Sequence, residues 1–216
     1  MKRNILTPTL WGLALVTALA MSTQALAHDL TAADKASLAA GKTVRKPLAT
    51  SGKNGFYGGT GITLIDAPAD VVWRAVLDWG AYPLIYPKTV SVDEVARRGN
   101  ARLVHFRMGH RLINIEYHVN VNADPEKYAI TFEIAKDRPH DLEYSRGYWR
   151  LFPQKDGRTL VVYSVAAQVP MGIVNLLPKE LERKIERNLV GAPNDLRKWL
   201  MSPKGQKYHA PMANNR

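Results

Sequence analysis

The 216-residue chain contains no cysteine. Disulfide bridges, thiolate catalysis and cysteine-held zinc are therefore excluded, and the fold must be held by packing alone. Long apolar runs are missing as well: the stretch from Leu10 to Ala20 is too short for a membrane span of about 20 residues. Acids are scarce, 19 Asp and Glu against 30 Lys and Arg, for a formal charge of +11, a balance that favours acidic partners. There is no internal repeat, no nucleophile elbow, no HExxH and no carboxylate cluster, which removes the usual signatures of hydrolase and zinc-protease chemistry.

What is present begins with Lys2, Arg3, the Leu10–Ala20 run and Ala25-Leu26-Ala27. That is the layout of a secretory signal peptide, residues 1–27, cleaved after Ala27. The chain from His28 onward is expected in a bacterial periplasm, with secretion further out as the alternative. Outside the inner membrane the basic balance points to anionic lipid headgroups or anionic ligands and away from nucleic acid; the plain alternative is that scattered charges keep the protein soluble. A mature N-terminal His28 would place an amine beside an imidazole, a pairing that suits copper. No motif spacing links it to His110, His140 or His209, so no metal site and no cofactor are expected.

Residues 28–57 read as an N-terminal helix, with Thr31 as N-cap and Gly41 as stop, followed by a mobile Gly-rich loop in "TSGKNGFYGGTG", residues 50–61. A phosphate-binding loop would follow a strand and open a helix; this one precedes the strand "ITLI" and lacks the Gly-Lys-Ser/Thr ending. Pro68 can open a helix carrying Val72, Trp73, Val76 and Leu77, with Trp73 packing it onto a sheet. Gly80 and Pro83 stop that helix, and Asp78 is placed to cap a second short turn through "WGAYPLIYP". Period-two alternation then runs for about eighty residues through "KTVSVDEVA", "RLVHFRM", "INIEYHVNV", "YAITFEI", "YSRGYWRLF" and "TLVVYSVAAQV". With "ITLI" that predicts about seven antiparallel strands. The segment "GIVNLLPKELERKIERNLVGAPNDLRKWL" returns to helical spacing, bent or interrupted at Pro193, and residues 202–216 are expected to be a disordered tail.

The residues "IDAPADVVWRAVLDWGAYPLIYP", the strand "GYWRLFPQKDGRTLVVYSV" and the closing "LRKWL" resemble the START-like, polyketide-cyclase and coenzyme-Q-binding superfamily. Ala67-Pro68 with Val72-Trp73, then Asp78, Tyr82-Pro83 and Pro87, carries the likeness, and the strand and helix order agrees. The resemblance covers roughly residues 58–200 and implies an α+β helix-grip fold over 58–201. In such a fold a curved antiparallel sheet wraps around a long C-terminal helix, and two short helices follow the first strand. It also implies an elongated apolar cavity between sheet and helix, used by relatives for sterols, phospholipids, quinones or polyketides, without implying one activity.

Alternation then assigns Phe106, Ile115, Tyr117, Phe132, Trp149, Leu151 and Tyr163 to the concave face, opposed by Val174, Leu177 and Leu181 from the helix. Plain core packing would place the same residues there. Trp79, Tyr82, Ile85 and Tyr86 on the hook, and Met171 and Ile173 in "VPMGIVNLLP", are assigned to the cavity entrance, where apolar tips among basic residues either dip into an anionic membrane or cap the core. The acid–base candidates are His105, His118, Glu116 and Glu133, of which His105, His118 and Glu116 alternate away from the apolar face and are expected in solvent. The favoured function is a periplasmic binding or carrier protein for a lipid, quinone, sterol or polyketide-like ligand. The alternative is a cyclase or hydratase working in the same cavity, tested at Glu116, His118 or Arg107; a third reading is an accessory subunit docking through its basic surface.

Overall fold

The computed structural model describes residues 30–51, 54–110, 113–175, 185 and 187–210. The signal segment, His28, Leu177, Leu181 and residues 211–216 lie outside them. Helix α1, Ala32–Ala39, opens on a capping box: the Thr31 hydroxyl accepts from the Asp34 amide at 3.1 Å and the Asp34 carboxylate accepts from the Thr31 amide at 3.0 Å. Strands β1 (Val44–Pro47) and β2 (Phe56–Ile65) follow, then helix α2 (Ala69–Val76), a 3₁₀ turn (Trp79–Ala81) and the single-turn helix α3 (Tyr82–Ile85). Six more strands complete the sheet: β3 (Thr89–Arg98), β4 (Ala101–His110), β5 (Ile113–Asp124), β6 (Ala129–Ile134), β7 (Tyr144–Pro153) and β8 (Thr159–Gln168). The chain closes with α4 (Met171–Val174), α5 (Ala192–Leu200) and a 3₁₀ segment, Pro203–Tyr208.

All neighbouring strands are antiparallel, in the order β1-β2-β8-β7-β6-β5-β4-β3. The sheet has eight strands where about seven were expected, because the four-residue edge strand β1 is too short to show alternation. Its Pro47 sits at the edge, where a missing amide costs no ladder bond. One face of α2 is apolar, burying Val71, Val72, Ala75 and Val76, and Trp73 meets the Tyr128 ring edge-on at 5.8 Å. Asp70 and Arg74 pair across one turn at 3.2 Å on its outer side. The helical segment is interrupted next to Pro193: a turn at Val190 and Gly191 separates helical residues 187–189 from α5, Pro193 lies in the first turn of α5, where proline is tolerated, and α5 buries Pro193, Leu196 and Leu200 along one stripe.

Two sequence expectations are corrected. The Gly-rich stretch is not a mobile loop throughout, since Phe56–Gly61 belong to β2. Its glycines permit close approach: a Cβ on Gly61 would collide with the backbone of Val190, and one on Gly59 with Lys46 and Pro47. Nor is Pro203–Tyr208 part of a disordered tail. Tyr208 is buried, and its hydroxyl and the Lys207 ammonium both donate to Asp78 Oδ2 at 2.7 Å.

Asp78 thus makes no side-chain cap on the turn that follows it; its carboxylate anchors the C-terminal segment instead. Burial pushes its pKa up, but the hydrogen bonds from Lys207 and Tyr208 outweigh this and hold it below the ordinary 3.8. A depressed folded-state value means that this anchor stabilises above the ordinary aspartate pKa and is lost as pH falls through the folded one. Asp78→Ala is expected to cost about 2 kcal/mol in urea denaturation at pH 7, and the difference from the parent protein should shrink as the pH is lowered through 4. An unchanged midpoint at pH 7 would show that the segment is not anchored there.

Candidate ligand cavity

The concave side of the sheet receives alternate residues of β4 to β8, and strand register decides which rings meet. Phe106 lies opposite Tyr117, and their rings stack at 5.2 Å with 2° between planes. Trp149 lies opposite Tyr163, with centroids 4.3 Å apart. Gly147 faces Phe132 across the β6–β7 pair, and any Cβ there would strike the Phe132 ring, so the missing side chain gives that ring its place. Between these rings and the C-terminal helical residues lies a cavity of about 310 Å³.

Most residues assigned to the concave wall do line it: Phe106, Ile115, Tyr117, Phe132, Trp149 and Tyr163. Leu151 does not. It sits two residues beyond Trp149 on β7, the strand against which α2 packs, and it is buried in the core cluster that includes Val71 and Val72. Val174 is also displaced, packed with Tyr57, Ile134, Leu142 and Val169 beside the cavity. Leu177 and Leu181 lie outside the described residues.

At the entrance, Trp79, Tyr82, Tyr86 and Ile173 line the cavity, whereas Ile85 and Met171 do not. Tyr82 and Tyr86 are four residues apart and share a face; Ile85 is turned into the core, 6% exposed. Met171 starts the one-turn helix α4 and points outward, 46% exposed. The Trp79 indole N–H donates to Glu94 Oε2 at 3.1 Å, and Arg97 and Arg102 hold that carboxylate at 2.5 and 3.3 Å. Hydrogen bonding to Arg97 lowers the Glu94 pKa despite partial burial.

Several lining residues were not foreseen. Val119, Val121, Val165 and Ala167 continue the alternation of Tyr117 and Tyr163 and were open to inference. Tyr57, Asn188 and Asp195 were not: Tyr57 is hidden in the Gly-rich stretch, and the other two lie among helical residues otherwise read as an apolar stripe. Burial pushes the Asp195 carboxyl above its ordinary value, with Lys198 opposing. Burial also raises the phenols of Tyr82, Tyr86, Tyr117 and Tyr163, so these hydroxyls are neutral at physiological pH. Tyr82 spends its proton on the Val76 carbonyl at 2.8 Å, and the Tyr86 hydroxyl is buried without a hydrogen-bond partner among the described residues.

His105, His118 and Glu116 face away from the cavity, across the sheet from Phe106 and Tyr117. The two imidazoles stack at 4.4 Å, His105 Nε2 lies 3.4 Å from Glu116 Oε2, and His118 Nδ1 lies 3.1 Å from the Pro139 carbonyl. Glu133 is exposed, and Arg107 bonds Ser91 at 2.8 Å on the exposed side. Among the described residues no three His, Asp or Glu side chains are arranged to hold a metal ion.

A family model described as "Polyketide cyclase / dehydrase and lipid transport" matches residues 62–197. No curated protein matches the sequence. Among solved structures, the Zhui aromatase/cyclase from Streptomyces sp. R1128 is 18% identical, with a TM-score of 0.56 over 69% of this chain and 98% of its own. A STAR-related lipid transfer protein fragment from Xanthomonas axonopodis is 15% identical, with a TM-score of 0.56 over 74% and 93%. A protein from Thermus thermophilus is 19% identical, with a TM-score of 0.56 over 66% and 94%. At such identities these three share the fold.

Proposed function

This chain belongs to the polyketide cyclase / dehydrase and lipid transport family, and from that premise we propose that it is an exported carrier or binding protein for one hydrophobic molecule. The observation that carries the reading is the cavity itself, walled by Phe106, Tyr117, Phe132, Trp149 and Tyr163. Apolar walls with a few convergent polar groups are the usual make-up of a small-molecule site. A volume of about 310 Å³ lies at the lower end of the range for such sites, which suits one ring system or one short chain better than a two-tailed lipid. Export rests on Lys2, Arg3, the apolar run and Ala25-Leu26-Ala27. The direct test is titration with the neutral, apolar fluorophore N-phenyl-1-naphthylamine: one equivalent should bind, and absence of saturable binding would reject the reading.

Contact with an anionic membrane surface forms part of the same proposal. Pro87, Lys88 and Thr89 line one edge of the cavity, and on either side of them Leu84 and Val90 are 62% and 56% exposed. Apolar tips beside a cation suit shallow insertion among anionic headgroups. Flotation with vesicles containing phosphatidylglycerol is expected at low salt, and it should be lost in Leu84→Asp/Val90→Asp. Equal flotation by that variant would show that these tips do not enter the bilayer.

A cyclase-type reaction is the second reading, and one feature favours it: Asp195, whose pKa burial raises from its ordinary value, faces the same cavity as Tyr163. Glu116, His118 and Arg107 drop out of that reading because they lie outside the cavity. Turnover abolished in Asp195→Asn with ligand binding retained would favour the enzyme over the carrier.

A further inference from the structure

We infer that Tyr117 and Tyr163 form a two-hydroxyl reader for an uncharged carbonyl oxygen, so that the cavity accepts neutral carbonyl-bearing ligands and rejects carboxylates of the same shape. The inference rests on the carrier reading above.

Among the tyrosines that line the cavity, Tyr82 has a protein acceptor, the Val76 carbonyl, and the Tyr86 hydroxyl is itself fully buried. Tyr117 and Tyr163 make no hydrogen bond to any described residue, and nothing but burial and their mutual electrostatic influence shifts them. Both rings are held in place, Tyr117 against Phe106 at 5.2 Å and Tyr163 between Trp149 at 4.3 Å and Phe132 at 6.3 Å. Both residues are half-buried and face the cavity, so their hydroxyls are open to whatever fills it. An apolar ligand that displaces water from the cavity leaves them without an acceptor, a cost that is relieved when the ligand supplies one.

The two residues come from β5 and β8, which are not neighbours in the sheet, yet both line the one cavity and supply it with two independent donors. A carbonyl oxygen has two lone pairs and can take both. Charge decides against an anion. Among the described lining residues Lys88 is the single cation, and it is exposed at the edge, while the half-buried Asp195, 3.9 Å from the Lys198 ammonium, contributes a carboxyl. A carboxylate entering this space would give up its hydration with no buried cation in return and would meet a like charge. A ketone surrenders far less.

The test uses three naphthalenes of one shape: 1-acetonaphthone, 1-ethylnaphthalene and 1-naphthoate, titrated against the full mature protein at pH 7 by tryptophan quenching. The ketone is expected to bind about five- to tenfold more tightly than the hydrocarbon, the yield of one net hydrogen bond. Naphthoate should bind at least about tenfold more weakly than the hydrocarbon. In Tyr117→Phe/Tyr163→Phe the ketone should lose its advantage over 1-ethylnaphthalene measured on the same variant, and saturable binding of the hydrocarbon reports an intact cavity. Naphthoate binding as tightly as the ketone would overturn the inference, as would a double variant that keeps the ketone preference. If none of the three binds, the carrier reading itself falls; if hydrocarbon and ketone bind equally, only the carbonyl reader falls.

Discussion

Gly59→Val is expected to leave little folded protein. Gly59 sits in β2 at φ +150°, and a Cβ there would lie 2.5 Å from the Lys46 carbonyl oxygen, 2.8 Å from Pro47 Cα and 2.9 Å from Val190 Cγ1. Two of the three are backbone atoms of the paired strand β1 and cannot rotate aside, so relief requires separating β1 from β2 or lifting the Val190 turn. Overpacking alone costs about 1–3 kcal/mol, and the backbone conformation adds to it. A loss above about 3 kcal/mol is a large part of the roughly 5–15 kcal/mol that holds a typical domain. Urea denaturation or soluble yield reads the effect. Gly99→Asn is the control: Gly99 is in a left-handed turn with nothing within 4 Å of a Cβ, and asparagine tolerates that conformation at a cost of about 1 kcal/mol or less. A wild-type midpoint for Gly59→Val would mean that β1 does not press on β2 as described.

Ala167→Trp is expected to abolish binding while leaving the fold intact. Ala167 lies on β8 with Val165 and Tyr163 and faces the cavity. An indole at that position grows into open space of about 310 Å³ rather than into packed core, so the overpacking penalty is small and the ligand's room is taken. Affinity for N-phenyl-1-naphthylamine should fall at least about hundredfold, equivalent to losing about 2.7 kcal/mol of burial, with the thermal midpoint within a few degrees of the parent. Thr131→Trp, on the exposed side of β6, should bind as the parent does. Full binding by Ala167→Trp would place the ligand elsewhere.

Much of this architecture was legible because the strands are half-buried, and half-burial imposes period two. Phe106, Tyr117, Phe132, Trp149 and Tyr163 could be assigned to one face from alternation, and the outward His105, His118 and Glu116 from the same rule. What alternation cannot supply is the position along a strand at which a face stops bordering open space and starts bordering a helix. Leu151 and Trp149 are equivalent in pattern, yet Trp149 borders the cavity and Leu151 does not. Tyr57 and the ordered Pro203–Tyr208 segment were hidden for a different reason. Glycine-rich and polar stretches read as loops, but here the glycines answer to the approach of Lys46 and Val190, and Tyr208 is ordered by Asp78, 130 residues away. Such contacts are made between distant parts of the chain and leave no local signature.

The central claim is occupancy of the cavity by a hydrophobic ligand, and native mass spectrometry of the mature protein, purified without detergent and followed by solvent extraction, tests it most directly. The account predicts a mass beginning at His28 with one stoichiometric apolar adduct that leaves on extraction and is absent from Ala167→Trp. A protein that is empty as purified, and still empty after incubation with total membrane lipid, would contradict it.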